Sequence, residues 1–244
     1  MFYQPPTKLE KIKRLPFFTY AFLGIQIVVY ILMELKGVSL GIINGSENSA
    51  ILYLFGAMSP AAIAQEHEYW RLVTPIFIHI GFMHLALNSF SLYFVGRLLE
   101  PIIGHVRFFV LYMLSGILGN LFSFALGSSY GLSAGASTSL FGIFAAFVVL
   151  GKIYPYQPLI RQMSRNMGLL IMLNLVMNLF DSGVDILGHF GGAVGGVLLM
   201  LMLGVPKESN RGEVEINGHK RIASGIMFVF LFIVCYYYGM TVKF

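Results

Sequence analysis

Between Phe17 and Met33 the chain runs seventeen residues without a charge. This run belongs to a longer apolar stretch at roughly 16–35. Six more follow at roughly 81–99, 107–127, 137–153, 167–181, 186–204 and 222–241. An apolar helix needs about 20 residues to cross the hydrocarbon core of a bilayer. Backbone in lipid must satisfy its own N–H and C=O groups, so repeated runs of this length dictate a bundle of helices. The expected fold is an all-α polytopic membrane protein with seven spans. Composition agrees: 11% of the 244 residues are charged, against about a quarter in soluble domains.

The charges that remain set the orientation. With the N-terminus inside, Lys8, Lys11, Lys13, Arg14, Arg97, Arg107, Lys152, Arg161, Arg165, Lys207, Arg211, Lys220 and Arg221 fall inside, and Lys36, Arg71 and Lys243 fall outside. Thirteen of the 16 basic residues on one side is a strong positive-inside signal, and it fits an odd number of spans with the C-terminus external. The net charge of +5 is therefore a matter of topology, not of nucleic-acid binding. The run after Arg14 is too long for a signal-peptide core, and no small-residue cleavage site follows it, so it reads as a retained first span. The absence of organelle-targeting signals is compatible with a bacterial plasma membrane. Cys235, the single cysteine, excludes an intramolecular disulfide and a cysteine-based metal site.

This reading divides the chain into a cytoplasmic N-terminal segment 1–15, a six-helix core 16–204 that includes an outer loop 37–80, a mixed-charge cytoplasmic linker 205–221, and a seventh transmembrane helix 222–244. A loop as long as 37–80 is usually functional, and short interfacial helices are expected in it. The outer loop 128–136 carries no charge, so it can dip into the protein wherever protein or water surrounds it.

Four polar residues stand near the outer ends of the spans: His84, Asn88, Ser137 and His189. Ser137 and His189 both head out-to-in helices and so share a depth. His84 and Asn88 are four apart on one helical face. Each has a structural alternative. A serine at a helix start is commonly a cap, an intramembrane histidine can simply bond a neighbour, and an asparagine can join two helices. Together they supply the parts of amide hydrolysis: a nucleophile in Ser137, a base in His189, and oxyanion donors in His84 and Asn88. Gly188, Gly192 and Gly196, spaced by four, and Gly142 and Ala145 offer small faces that permit close helix contact.

Several motifs carry a family resemblance: Trp70-Arg71, His79-x4-His84-x3-Asn88, Gly135-x-Ser137, and Gly188-His189-x2-Gly192, in this order from Trp70 to about Gly196. With this order, spacing and topology the chain resembles the rhomboid intramembrane serine proteases, in the form with an extra C-terminal seventh helix. The resemblance implies a rhomboid-like bundle and a Ser137–His189 dyad. It also implies an oxyanion hole made by His84, Asn88 and the Ser137 N–H, and substrate entry beside span five. Substrates would be transmembrane proteins in the lipid bilayer, with no cofactor, no metal and no nucleic acid; substrate-binding residues are not assigned. One departure stands out: Thr138 replaces the glycine that usually follows the serine, which bears on local geometry and substrate preference.

Other polar residues read as structural. Asp185 reads as the cap of span six, with orientation of His189 as its alternative. His79 lies on a different face from His84, and either supports the first loop or is solvated. Glu100 is expected to pair with Arg97 or Arg107, and Arg71 to anchor the first loop or meet headgroups. Asn174 and Asn178 are expected to bond a neighbouring helix or line a substrate path. No HExxH or carboxylate cluster accompanies the histidines, which disfavours a metalloprotease. Two competing readings remain: a catalytically inactive rhomboid-like protein that binds transmembrane helices, and a small transporter. The first predicts loss of Ser137 or His189, and both are present. The second predicts internal repeats or deep acidic residues, and no repeat is evident.

Overall fold

The computed structural model describes residues 15–178, 183–206 and 214–241. Their architecture is helical throughout. Helix α1 (Phe17–Ser39) is followed by two short helices of the first loop, α2 (Ser49–Phe55) and α3 (Pro60–Gln65). The long rods after them are α4 (Gly81–Ser91), α5 (Arg97–Ile103), α6 (His105–Leu126), α7 (Ser137–Ile153), α8 (Pro158–Asn178), α9 (Ile186–Leu203) and α10 (Gly218–Thr241). A π-helical turn at Leu92–Gly96 joins α4 to α5, so the two act as one rod of span length. With that join, seven long helices overlie the seven apolar runs; among the described residues four of them, α1, α6, α9 and α10, are long and apolar enough to cross a membrane.

Local sequence explains the helix ends. The Asn48 side chain accepts from the N–H groups of Ala50 and Ile51 and starts α2. Ser59 caps α3, with Pro60 in its first turn, where a missing N–H costs nothing. At the far end of the bundle Arg107 and Arg221 donate to the last carbonyls of α9, at Met202 and Leu203. Cations suit that end of a helix.

Several helices extend beyond the apolar runs: α1 to Ser39 and α5 to Ile103, each about four residues past its run. Helix α8 begins at Pro158, nine residues before the run at 167, and takes in Arg161 and Arg165. A helix continues past the hydrocarbon where its polar side chains reach water. The last helix begins at Gly218, not at 222. Residues 1–14, Asp181, Lys207 to Glu213 and Lys243 lie outside the described residues, together with the charges they carry.

Helices α6, α7 and α9 pack most closely, and α7 buries thirteen of its seventeen residues. Helices α6, α8 and α9 pack around it, with α4 and its π-helical turn touching more lightly. At about 1.5 Å per residue, α7 is about 26 Å long, shorter than a hydrocarbon core of about 30 Å. One end of it must therefore lie below the membrane surface. Helix α8 is the opposite case: Ile160 is its one fully buried residue among those described. It leans on α7 far more than on α9.

Glu100 sits at the base of the bundle and is fully buried. Its partners are neither Arg97 nor Arg107. The carboxylate accepts from the Phe18 N–H at 2.9 Å, the Thr19 N–H at 2.8 Å, the Thr19 hydroxyl at 2.7 Å, and His105 Nδ1 at 2.6 Å. It thus caps the first turn of α1, whose N–H groups have no helical acceptor of their own. Arg97 stacks instead over Tyr93.

The first loop is a packed unit. Met33, Ile51, Leu52, Ala57 and Ile78 form a small apolar core of their own. Arg71 is 2% exposed and organises the rest. Its Nη1 donates to the carbonyls of Tyr53 at 2.8 Å and Ala57 at 3.0 Å, its Nε pairs with Glu68, and its guanidinium lies over the rings of Tyr53 and Trp70. This is the anchoring role expected of it. Asn120 on α6 ties the loop down through the Leu72 carbonyl.

Candidate active site

Gly135 precedes the start of α7 with φ of +144°, a value that side chains rarely tolerate. The backbone there lies against the His84 ring: a Cβ on Gly135 would sit 2.6 Å from its Cε1 and 2.9 Å from its Nε2. The segment is held on the first loop by the Gly135 N–H to the Pro75 carbonyl, at 2.9 Å, and by backbone pairing of Met58 with Ser133. The uncharged loop does dock on protein. The turn delivers Ser137 as the first residue of α7, partly accessible, with its N–H free of any intrahelical acceptor.

His189 comes from the first turn of α9 and is 7% exposed. Helices α7 and α9 meet almost backbone to backbone. A Cβ on Gly192 would run into the Thr138 carbonyl, and one on Gly196 into the Gly142 carbonyl. This approach brings His189 Nε2 to 2.8 Å from Ser137 Oγ. Phe141, one turn into α7, stacks flat on the imidazole, with ring centroids 4.3 Å apart and planes 8° apart. The Asp185 carboxylate accepts from the Gly188 N–H at 2.8 Å, so it caps α9. At His189 Nδ1 the neighbour is the Asn178 side-chain amide, 2.9 Å away. Asn174 bonds back to Leu170 of its own helix.

The two remaining polar residues are arranged differently from one another. The His84 Nε2 and the Ser137 Oγ flank one point, the position a Gly135 Cβ would take, at 2.9 and 3.5 Å. Asn88 is buried and donates one N–H to the His84 carbonyl at 3.0 Å; its amide has a second. His79 is fully buried and not solvated. Its Nε2 accepts from the Ala136 N–H at 3.3 Å, and its ring stands edge-on to His84 at 5.3 Å. Burial lowers the His79 pKa to about 3, so the ring is neutral and its proton is on Nδ1.

Thr138 is 4% exposed, and its Oγ1 has no hydrogen-bond partner among the described residues. Gly119 of α6 makes room for it: a Cβ there would lie 2.9 Å from the Thr138 Cβ. Among the described residues, no three His, Cys, Asp or Glu side chains converge as metal ligands. A cavity of about 310 Å³ opens at this end of the bundle, between loop 128–133 and segment 183–187, and neither Ser137 nor His189 lines it.

A multi-pass helical membrane protein with a serine and a histidine hydrogen-bonded between two buried helices is an unusual class. Comparison with known proteins identifies the family of the chain. A family model described as the Rhomboid domain matches residues 66–206. The chain is 36% identical over 225 residues to the rhomboid protease GluP of Bacillus subtilis, covering 92% of this chain and 41% of that protein. It is 31% identical over 141 residues to the putative rhomboid protease YdcA of the same organism, covering 58% of this chain and 70% of the relative. RHOMBOID-like protein 1 of Arabidopsis thaliana is 36% identical over 161 residues, which is 62% of this chain and 39% of that protein. This chain belongs to the rhomboid family. It spans about two fifths of the length of GluP.

Proposed function

We propose that this protein is an intramembrane serine endopeptidase that hydrolyses peptide bonds in or near transmembrane segments. The 2.8 Å contact between Ser137 Oγ and His189 Nε2 carries the reading. Relatives named as proteases support it.

Ser137 donates its hydrogen bond to His189, which takes the proton as Oγ attacks the scissile carbonyl. The oxyanion forms beside the start of α7, with the Ser137 N–H and the His84 Nε2–H as donors and the second N–H of Asn88, one turn from His84, as the third. His189 then protonates the leaving amine, and water releases the acyl group from Ser137 by the same steps in reverse. Water must reach a site set among the outer ends of the spans. The short α7 supports this reading: it does not reach across the hydrocarbon core, and its Ser137 end is the one that opens to water. The distribution of basic residues puts that end on the external side, with the N-terminus cytoplasmic and the C-terminus external.

A helical substrate hides its scissile carbonyl in an i to i−4 bond, so cleavable segments should carry helix-weakening residues. Entry beside α8 fits the sparse burial of that helix.

The test is reconstitution in liposomes with a single-span substrate. Wild type should cleave it, and Ser137→Ala and His189→Ala should not. A fluorophosphonate should label wild type and not Ser137→Ala. Undiminished cleavage by Ser137→Ala would overturn the serine mechanism.

A further inference from the structure

A neutral imidazole carries one proton. For Ser137 to donate to His189 Nε2, that nitrogen must be bare and the proton must sit on Nδ1. The Nδ1 proton then needs an acceptor. In many serine hydrolases a carboxylate fills this place. Here the carboxylate just before the same helix, Asp185, caps it through the Gly188 N–H, and no hydrogen bond joins that carboxylate to His189 among the described residues. The atom facing Nδ1 belongs to Asn178, at 2.9 Å.

We propose that Asn178 is the positioning residue of His189: its side-chain carbonyl accepts the Nδ1 proton and so keeps Nε2 free for Ser137. The proposal rests on the serine-protease reading above. As placed, the amide nitrogen faces the ring. A half-turn of the amide puts Oδ1 there with every heavy atom in the same position, and the protonation that catalysis requires selects this orientation.

Phe141 cannot do the same work. Stacking at 4.3 Å and 8° fixes the plane of the imidazole but not its edge. A half-turn of the ring would keep the stack and put carbon in place of Nε2. A bond at each nitrogen removes that freedom, one to Ser137 and one to Asn178. Among the described residues, it is also the one hydrogen bond between α8 and α9.

Two substitutions separate positioning from packing. Asn178→Leu keeps the γ-branched shape in a somewhat larger side chain and loses the acceptor; Asn178→Asp keeps the acceptor. In liposomes Asn178→Leu should lower kcat about tenfold, the worth of one neutral hydrogen bond, with KM unchanged. Asn178→Asp should stay within about threefold of wild type. A packing role predicts the reverse order. Nitrogen-15 NMR of labelled histidine should show the Nδ1–H form at His189 in wild type and a mixture of tautomers in Asn178→Leu.

Wild-type kcat in Asn178→Leu, a poorer Asn178→Asp than Asn178→Leu, or an Nε2–H ring in wild type would each overturn the proposal. Ser137→Ala and fluorophosphonate labelling run alongside. If Ser137→Ala is inactive while Asn178→Leu is normal, the positioning role alone fails. If Ser137→Ala still cleaves, the serine reading fails, and the tautomer measurement still decides whether Asn178 sets the proton.

Discussion

Gly131 and Gly135 offer a controlled experiment four residues apart. Their φ angles are +145° and +144°, so alanine at either position meets the same backbone penalty, about 1–3 kcal/mol. Their surroundings differ. A Cβ on Gly131 meets nothing within 4 Å, whereas one on Gly135 lies 2.6 Å from His84 Cε1. Ordinary contact begins at 3.4 Å, so the imidazole must retreat by about 0.8 Å. Its Nε2 is the proposed oxyanion donor. Displacing a catalytic group by about 1 Å can cost on the order of 100-fold, and removing one oxyanion donor outright costs about 100- to 1,000-fold. Gly135→Ala should therefore lower kcat by roughly 10- to 100-fold and leave KM nearly unchanged, because the contact strengthens in the transition state. Gly131→Ala should lower the thermal midpoint and leave kcat alone. Both are measured with the single-span substrate in liposomes, with unfolding followed in detergent. Equal kcat for the two variants, or wild-type kcat for Gly135→Ala, would refute the placement of His84 at the oxyanion.

Three further outcomes follow from the first loop and the start of α7. Arg71→Ala leaves Glu68 and two carbonyls without their donor, and should cost about 1–3 kcal/mol in denaturant unfolding; Arg71→Lys should recover little of it, since an ammonium lacks the planar fork. A midpoint unchanged by Arg71→Ala would count against the anchoring role. His79 titrates near 6.5 when unfolded and about 3 when folded, so the unfolded state binds more protons in between. Wild type therefore loses stability as pH falls through that window, by about 1.4 kcal/mol per pH unit. His79→Gln, which keeps an acceptor for the Ala136 N–H, should show a shallower slope between pH 6 and 4; an identical slope would show that His79 does not carry the linkage. Thr138→Val removes a buried hydroxyl without a partner and should raise stability by about 1 kcal/mol, read as a higher unfolding midpoint; a lower one would mean that the hydroxyl is satisfied.

Ser137 and His189 were legible in the sequence because lipid makes polar residues conspicuous, and charge counting alone put them at one depth. Asn178 was equally visible as a polar residue, but its partner was not. Which neighbour it meets depends on the rotation of α8 about its axis, and periodicity does not fix that angle against α9. Glu100 shows the same limit more sharply. Arg97 and Arg107 are its neighbours along the chain, yet the carboxylate turns to Phe18 and Thr19 on another helix. The start of α8 lies nine residues before its apolar run because hydropathy reports where lipid ends, not where hydrogen bonding along the helix ends. The Thr138 departure becomes intelligible only beside Gly119, a complement 19 residues earlier that no local pattern connects to it.

The buried Glu100 also has a consequence for biosynthesis. Among the described residues, every partner of its carboxylate lies at or before His105. The lock between the first two spans can therefore close while the rest of the chain is still on the ribosome, before His189 is translated. A substitution at Glu100 should then act on the insertion and survival of the nascent protein, lowering its yield in the membrane without altering the turnover of the molecules that mature.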